Sequence, residues 1–526
     1  MLNRHFLRFF LLFVFILGGS TLSKGKAFAE SIESDLQNRL RVHYAIECSI
    51  DDNGQLLEGN EVISFKNSTS DPIGQIAIKW LRQGGETLKV TSNGKDVSFL
   101  TDVKSSRVIF KLPEAIKPGG NGIIEIKFGG VKPAQSLNNK IGFAAWHPQL
   151  NWGLQRHADF DVKINAPSKY AILTSGFFNE SVGRYQVKGV RSFLVILCNE
   201  HKVMEANAED VLVRCAYTPE SEECARLIVK TAVDAINFYR KHFGFYPYRI
   251  LTIVPGMDNP AGGYPVAPCV VAIHGMEKFD SRPKNHWQWI TAHEIGHQYC
   301  GEYILSDDTT DPFNWLMIGL GIYADREYSQ ARNLSSEKHR GLMDRYIGGV
   351  RDGLDTTINI TPEQRSKIKF DFNNVVKHGK SYSVISALDC VLGKETFSRI
   401  YRRCLKEFGG RRLGVLEFQA VCEEEAGQDL GWFFEQWVNS NKHLSYKISS
   451  QKCQKKDNSY ISRVEVKCIG DLKMPVPVTV YFADGSSQTR FTNRLTDINV
   501  LEFKSKSPLK KALLDSKEAL AFALPQ

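Results

Sequence analysis

In the stretch WQWITAHEIGHQYCGEY, residues 287–303, two histidines flank a glutamate at the spacing His293, Glu294, His297. On a helix, residues four apart share a face, so both imidazoles point the same way. Their ring nitrogens can then reach a single ion with bonds of about 2.0–2.1 Å. Glu294 follows the first histidine, turned about 100° round the axis. From there it can touch a water on the ion without displacing it, which is the position of a general base. Zn2+, one ion per chain, is the expected occupant of such a pair. It lowers the pKa of its water toward about 7, and the carboxylate takes the proton as the water attacks a carbonyl. A site of this kind needs a third protein ligand, normally an acid further along. The segment NWLMIGLGIYADREY, residues 314–328, has no acid where one is expected.

The helix that carries these residues has to be held inside a domain. Trp289, Ala292 and Cys300 share its apolar side. Gly296 costs a helix interior roughly 1 kcal/mol relative to alanine, and a close backbone approach would explain its presence. Upstream, PESEECARLIVKTAVDAINFYRKHFG begins with a proline and three acids, carries apolar residues at helical spacing and is closed by Gly244. A strand (YRILTIVPG), a glycine-rich loop (MDNPAGGYPVAP) and a second strand (CVVAIHG) follow. After Pro283 the pattern is helical through His297, and five further helical segments run to DLGWFFEQWVNS. Residues 40 to about 210 alternate apolar and polar residues between turn signals, as in a two-sheet sandwich. Alternation returns from about residue 444. The predicted order is β-sandwich, α-rich domain, small β-domain.

At 526 residues the chain is too long for one core. Its formal charge is +9, but residues 1–29 hold four bases and no acid, so the remainder carries only +5. That weak excess gives no reason to expect nucleic acid as partner. Basic runs such as KKDNSYISRVEVK read as solvated strand faces. Arg4 and Arg8 precede an apolar run of 11 residues, Phe9 to Gly19, and Ala27-Phe28-Ala29 fits a cleavage site. The run is short for a bilayer span, so residues 1–29 read as a signal peptide of an exported protein, periplasmic or secreted, with no stable membrane span after cleavage. The alternative is an uncleaved anchor. The 11 cysteines show no Cys-x-x-Cys spacing. Cys453 and Cys468 could bridge a hairpin, while most of the others read as buried thiols.

Over nearly all of its mature length the chain resembles the gluzincin aminopeptidases, zinc metallopeptidases of the aminopeptidase N type. FYRKHFGFYPYRILTIVPG is similar to that family's entry to its catalytic domain, and HEIGHQYCG to its zinc helix. DLGWFFEQWVN resembles the end of the catalytic domain, and MPVPVTVYFADG a strand pair of the third domain. The resemblance implies a multidomain α+β fold. It predicts an N-terminal β-sandwich over 30–212, a thermolysin-like α-rich peptidase domain over 213–441 and a small C-terminal β-sandwich over 442–526. The helical fourth domain of many members has no counterpart before the chain ends, so a member lacking it is expected.

The sequence departs from the family at three places. Where a WLNEGFASY-like helix supplies the third zinc ligand, this chain reads WLMIGLGIY, and the ligand position is Ile318. Asp325 lies two turns beyond, about 10.5 Å along the axis, and matches an acid that supports the site from behind the ligands. Asp307, Asp308 and Asp311 in the preceding loop are alternatives as ligands, or a solvated acidic turn. Where the family holds a substrate's α-amine with the glutamate of Gly-Ala-Met-Glu-Asn, this chain reads GGYPV, with Pro265 at the glutamate position and Asp258 out of register. Gly262, Gly263 and Tyr264 are then the substrate-binding candidates, through backbone hydrogen bonds to an extended peptide. The family's catalytic tyrosine maps to His378, which could donate to an oxyanion or simply be a polar residue at a helix start, with Tyr382 a weaker candidate. The expectation is a zinc peptidase with His293 and His297 as ligands, Glu294 as base and peptide as substrate. Two alternatives remain: a catalytically silent peptide-binding protein on a peptidase frame, and a zinc hydrolase of another substrate.

Overall fold

The computed structural model describes residues 42–523 apart from 81–86, 103–106, 138–139, 151–156, 257–261, 279–281 and 308–310. The expected signal peptide lies outside the described residues, as do Asp258 and Asp308. No described helix is long and apolar enough to cross a membrane. The chain divides into two compact units, with the break after Asn199.

The first unit is built of strands, as the alternation predicts. Strand Val42–Ile50 pairs antiparallel with Leu57–Lys66 and parallel with Ala158–Asn165 at the centre of an eight-stranded sheet. Leu57–Lys66 shows why: alternate residues are buried, and Ile63 and Phe65 enter the core while their neighbours face out. Two four-stranded sheets complete the unit, one around Ile73–Lys79 and one around Val195–Asn199. Three sheets thus replace the expected two. Alternation fixes which side chains turn inward but not which strands pair.

The second unit opens with a hairpin that the expected boundary at residue 212 would have cut. Its strands β1 (Lys202–Ala208) and β2 (Val211–Tyr217) belong to a five-stranded sheet with β3 (Ile250–Pro255), β4 (Gly263–Ala267) and β5 (Val270–Ile273). The order is β1-β2-β3-β5-β4, with β2, β3 and β5 mutually parallel and β4 antiparallel at the edge. β3 and β5 are buried at every position, as parallel strands covered on both faces are. Helix α1 (Glu222–Phe243) ends where Gly244, at φ +100°, donates its N–H to the carbonyl of Arg240. Then come α2 (Lys284–Tyr299), α3 (Trp315–Ala331), α4 (Glu337–Arg351) and α5 (Pro362–Lys367). An eight-residue π-helical segment, Asn373–Lys380, leads directly into α6 (Ser381–Leu392), followed by α7 (Lys394–Phe408), α8 (Val415–Ala426) and α9 (Gly431–Trp437). The C-terminal segment forms two three-stranded sheets, 446–468 with 498–505 and 477–491 with 509–514, and clusters with the helices in one unit.

The pairing register in the first of these sheets separates the two cysteines expected to bridge. Cys453 lies opposite Ser462, and Cys468 lies opposite Tyr446. No disulfide joins any of the 11 cysteines, and all but Cys390 and Cys453 are buried.

Helices α2 and α3 cross where both carry glycine. A Cβ on Gly296 would meet the carbonyl oxygen of Gly321 at 3.0 Å, and one on Gly321 would meet the His297 ring at 2.4 Å. The close approach expected at Gly296 is therefore present, and its partner glycine sits on α3. Gly321→Ala is expected to destabilise the fold by about 1–3 kcal/mol through overpacking, read by urea unfolding. An unchanged midpoint would mean that the crossing is loose.

Candidate metal centre

Helix α2 is buried on nearly every side, so its orientation is set by several neighbours. The Tyr239 hydroxyl on α1 donates to the carbonyl of Ala292 (3.0 Å), and the Tyr299 hydroxyl donates to that of Phe245 (2.6 Å). Gln298 ties the helix to the β4–β5 turn: its Oε1 accepts from the Cys269 N–H (2.7 Å) and its amide donates to the carbonyl of Ala267 (3.3 Å). Trp287, rather than Trp289, fills the core. Trp289 is half-buried and lies against His293, with ring centres 5.5 Å apart, because the i, i+4 spacing places it on the histidine face.

His293 and His297 converge. Their Nε2 atoms are 3.2 Å apart. Two donors on one tetrahedral zinc at 2.0–2.1 Å would lie about 3.3 Å from each other. Each ring is oriented from behind through Nδ1. His297 donates there to the carbonyl of Cys300 (3.3 Å), and His293 meets Asp325 Oδ2 at 2.5 Å. Metal-binding histidines are commonly anchored by such partners, which fix the tautomer. Burial opposes charge on His293, but the Asp325 carboxylate outweighs it and pushes the ring up to about 9. Burial and the charge on His293 push His297 down to about 3. His293 therefore donates to the lone pair of a neutral His297.

Asp325 is fully buried. Burial raises its pKa, yet His339 and His293 together hold it down to about 2. His339, from α4, bonds the second carboxylate oxygen. Nothing in its spacing marks His339 in the sequence; it is a lone histidine brought in by the packing of α4 on α3. Glu294 is buried beside the pair, pushed up to about 7 by burial, and its Oε2 has no partner. Edge strand β4 presses on it, since a Cβ on Gly263 would meet Glu294 Oε1 at 2.8 Å. Gly262 sits at φ +105°, where a side chain would be strained. Tyr264 is half-buried against His274.

Ile318 stands half-buried on the first turn of α3. Among the described residues, no group of three His, Cys, Asp or Glu side chains could hold a metal ion. The chain thus offers two imidazoles that fit zinc and no described third donor. Asp311 is neither a ligand nor a solvated turn. It is buried and accepts the N–H groups of Trp315 (2.9 Å) and Leu316 (3.0 Å), capping α3.

His378 lies in the π-helical segment with Nδ1 2.7 Å from the carbonyl of Asn373. A carbonyl only accepts, so Nδ1 carries the proton. Burial lowers the pKa of the ring. Tyr382 is buried against His339, with ring centres 5.7 Å apart.

The fold is similar to that of solved zinc metallopeptidases. The M1 zinc metallopeptidase of Deinococcus radiodurans superposes with a TM-score of 0.58 at 18% identity, over 76% of this chain and 93% of that one. A two-domain M1 zinc metallopeptidase bound to L-arginine gives 0.60 at 17%, over 76% and 94%. Residues 229–437 match the Peptidase family M1 domain. Leucine aminopeptidase 2 of Emericella nidulans is 22% identical over 375 residues, 69% of this chain and 53% of the relative. The chain spans about half the length of the curated relatives it matches.

Two substitutions test the supports. Asp325→Asn is expected to weaken zinc binding about 10–100-fold in chelator competition, and an unchanged affinity would remove Asp325 from the site. Asp311→Ala is expected to cost about 1–2 kcal/mol in urea unfolding through the lost cap.

Proposed function

We propose that this protein is an exported, zinc-dependent peptidase. The observation that carries the reading is the convergence of the His293 and His297 Nε2 atoms at 3.2 Å beside the unpartnered Glu294 Oε2. His293 and His297 would hold the ion. When bound, zinc supplies Lewis acidity toward a carbonyl and makes water a stronger acid. Glu294 Oε2 is the atom that takes a proton, and burial has already brought its pKa near neutrality, where a general base works best. Asp325 holds the His293 ring at Nδ1 and His339 pairs the other carboxylate oxygen, so Nε2, once it gives up the proton it shares with His297, is the nitrogen His293 would turn to the ion. The β4 edge at Gly263 and Tyr264 would pair with an extended peptide. The M1 domain and the leucine aminopeptidase relatives support peptides as substrates. Pro265 offers no charge to a substrate amine, so we assign peptide hydrolysis without a preference for the N-terminal residue. Export is proposed from the basic, apolar and small-residue order of positions 1–29.

One observation favours a second reading, a silent peptide-binding protein. Ile318 occupies the ligand position, and no described residue replaces it. Metal content and turnover decide between the two. Elemental mass spectrometry of residues 30–526 is expected to find about one zinc per chain, lost in His293→Ala, with Glu294→Gln lowering peptide cleavage by about 10²–10⁴-fold. A metal-free chain, or equal cleavage by Glu294→Gln, would establish the binding protein instead.

A further inference from the structure

Behind the metal centre the second unit holds a partly open cavity of about 480 Å³. Its walls come from α3, α4 and α6 on one side and from the C-terminal strands and the 515–519 turn on the other. That volume lies in the range of small-molecule sites, about 300–1,000 Å³. Four of its lining residues carry a buried polar atom with no protein partner: Arg326 Nε, Ser329 Oγ, Asp389 Oδ1 and Asp515 Oδ1. Arg326, Ser329 and Asp515 are each more than nine-tenths buried. Every such atom left unbonded costs about 1–3 kcal/mol.

Other atoms of three of these groups are already bonded. Arg326 donates from Nη1 to Ser386 (3.2 Å) and from Nη2 to Asp389 Oδ2 (2.7 Å) and Glu327 (3.0 Å). Asp515 Oδ2 accepts from the Leu520 N–H (2.7 Å). The free atoms are therefore what the pairing of these walls leaves over, two acceptors and two donors.

The chemistry of the lining narrows the ligand. Four cationic and four carboxylate residues line the cavity, so neither a simple anion nor a simple cation is favoured. No three of its acids and histidines group as a metal site among the described residues. An apolar ligand would leave all four polar atoms stranded. A zwitterion carries groups for both kinds, an ammonium for the carboxylates of Asp389 and Asp515 and a carboxylate for the donors of Arg326 and Ser329. We propose that this cavity is a non-catalytic binding site for a free α-amino acid or a dipeptide. His339 also lines it, and the chain from His339 through Asp325 to His293 links it to the metal centre. Ligand binding and zinc binding then alter each other's affinity by the same factor. Only this coupling rests on the peptidase reading; the binding itself does not.

The test is calorimetry on metal-free Glu294→Gln protein, residues 30–526, which removes turnover from the measurement. L-leucine, L-arginine and the dipeptide Gly-Leu are titrated separately, with acetate and methylamine as half-ligands. One zwitterion is expected to bind at one per chain, with the half-ligands weaker by about tenfold or more. Which of the three binds tells an amino acid from a dipeptide. Asp515→Asn and Ser329→Ala are each expected to lower the affinity about tenfold, while Tyr264→Ala, at the metal-side groove, leaves it unchanged. Should Asp515→Asn fail to fold, the milder Ser329→Ala decides. No binding by any zwitterion, or binding lost in Tyr264→Ala and kept in both cavity variants, would overturn the site. Chelator competition with and without the bound zwitterion reads the coupling, and an identical zinc affinity would overturn that part alone.

Discussion

Asp325 is a charged carboxylate with no exposed surface, and most of the site's order follows from how that charge is accommodated. A buried carboxylate is unstable unless opposite charge and hydrogen bonds surround it. Here two imidazoles from two helices do so, His293 on α2 and His339 on α4. Each oxygen serves one ring. The arrangement therefore binds three helices at one point and fixes the tautomer of His293 in the same step. His293 cannot rotate without leaving half of the carboxylate unpaired.

The charge can be buried this deeply because α2 and α3 approach so closely. With glycine at 296 and 321, the backbone of one helix lies against the other, and the His297 ring fills the space above Gly321. A larger residue at either position would part the helices and lengthen the distance between Asp325 and His293. On the far side, Gln298 holds the β4–β5 turn to the same helix, so the edge strand and the imidazoles share one frame. Ligand geometry and the substrate-facing edge are thus set by one helix and its neighbours.

This explains which parts of the site can be read from the chain. Helical spacing makes the face of His293 and His297 legible, and the cost of a helical glycine makes the crossing at Gly296 legible. Alternation shows the strands of both β regions. Partners brought together by packing leave no such pattern. His339 is 14 residues from Asp325 in the chain, on another helix, and its role depends on how α4 docks. Asp311 reads as a loop acid and caps α3, because capping depends on where the helix starts. His378 reads as a residue at a helix start or an oxyanion donor, and the π-helical turn that gives its Nδ1 a carbonyl has no signature in the sequence. Strand pairing decides that Cys453 and Cys468 stay apart, and sequence alternation is silent on pairing.

The balance between a working and a silent site turns on what a binding groove physically needs. A peptide can be held by an edge strand and a cleft, both of which are made of backbone and apolar contacts. Neither requires a buried carboxylate with an unpartnered oxygen. Glu294 Oε2 is such an atom, and leaving it so costs about 1–3 kcal/mol, more if the group is charged. Asp325 and its two histidines add a buried ion network that apolar residues of similar size would replace at little or no loss of stability. Ile318 subtracts one donor from this centre but relieves none of these costs. A fold that carries them gains nothing in stability from doing so, and the proposed chemistry at His293, Glu294 and His297 is a physical reason for it to carry them.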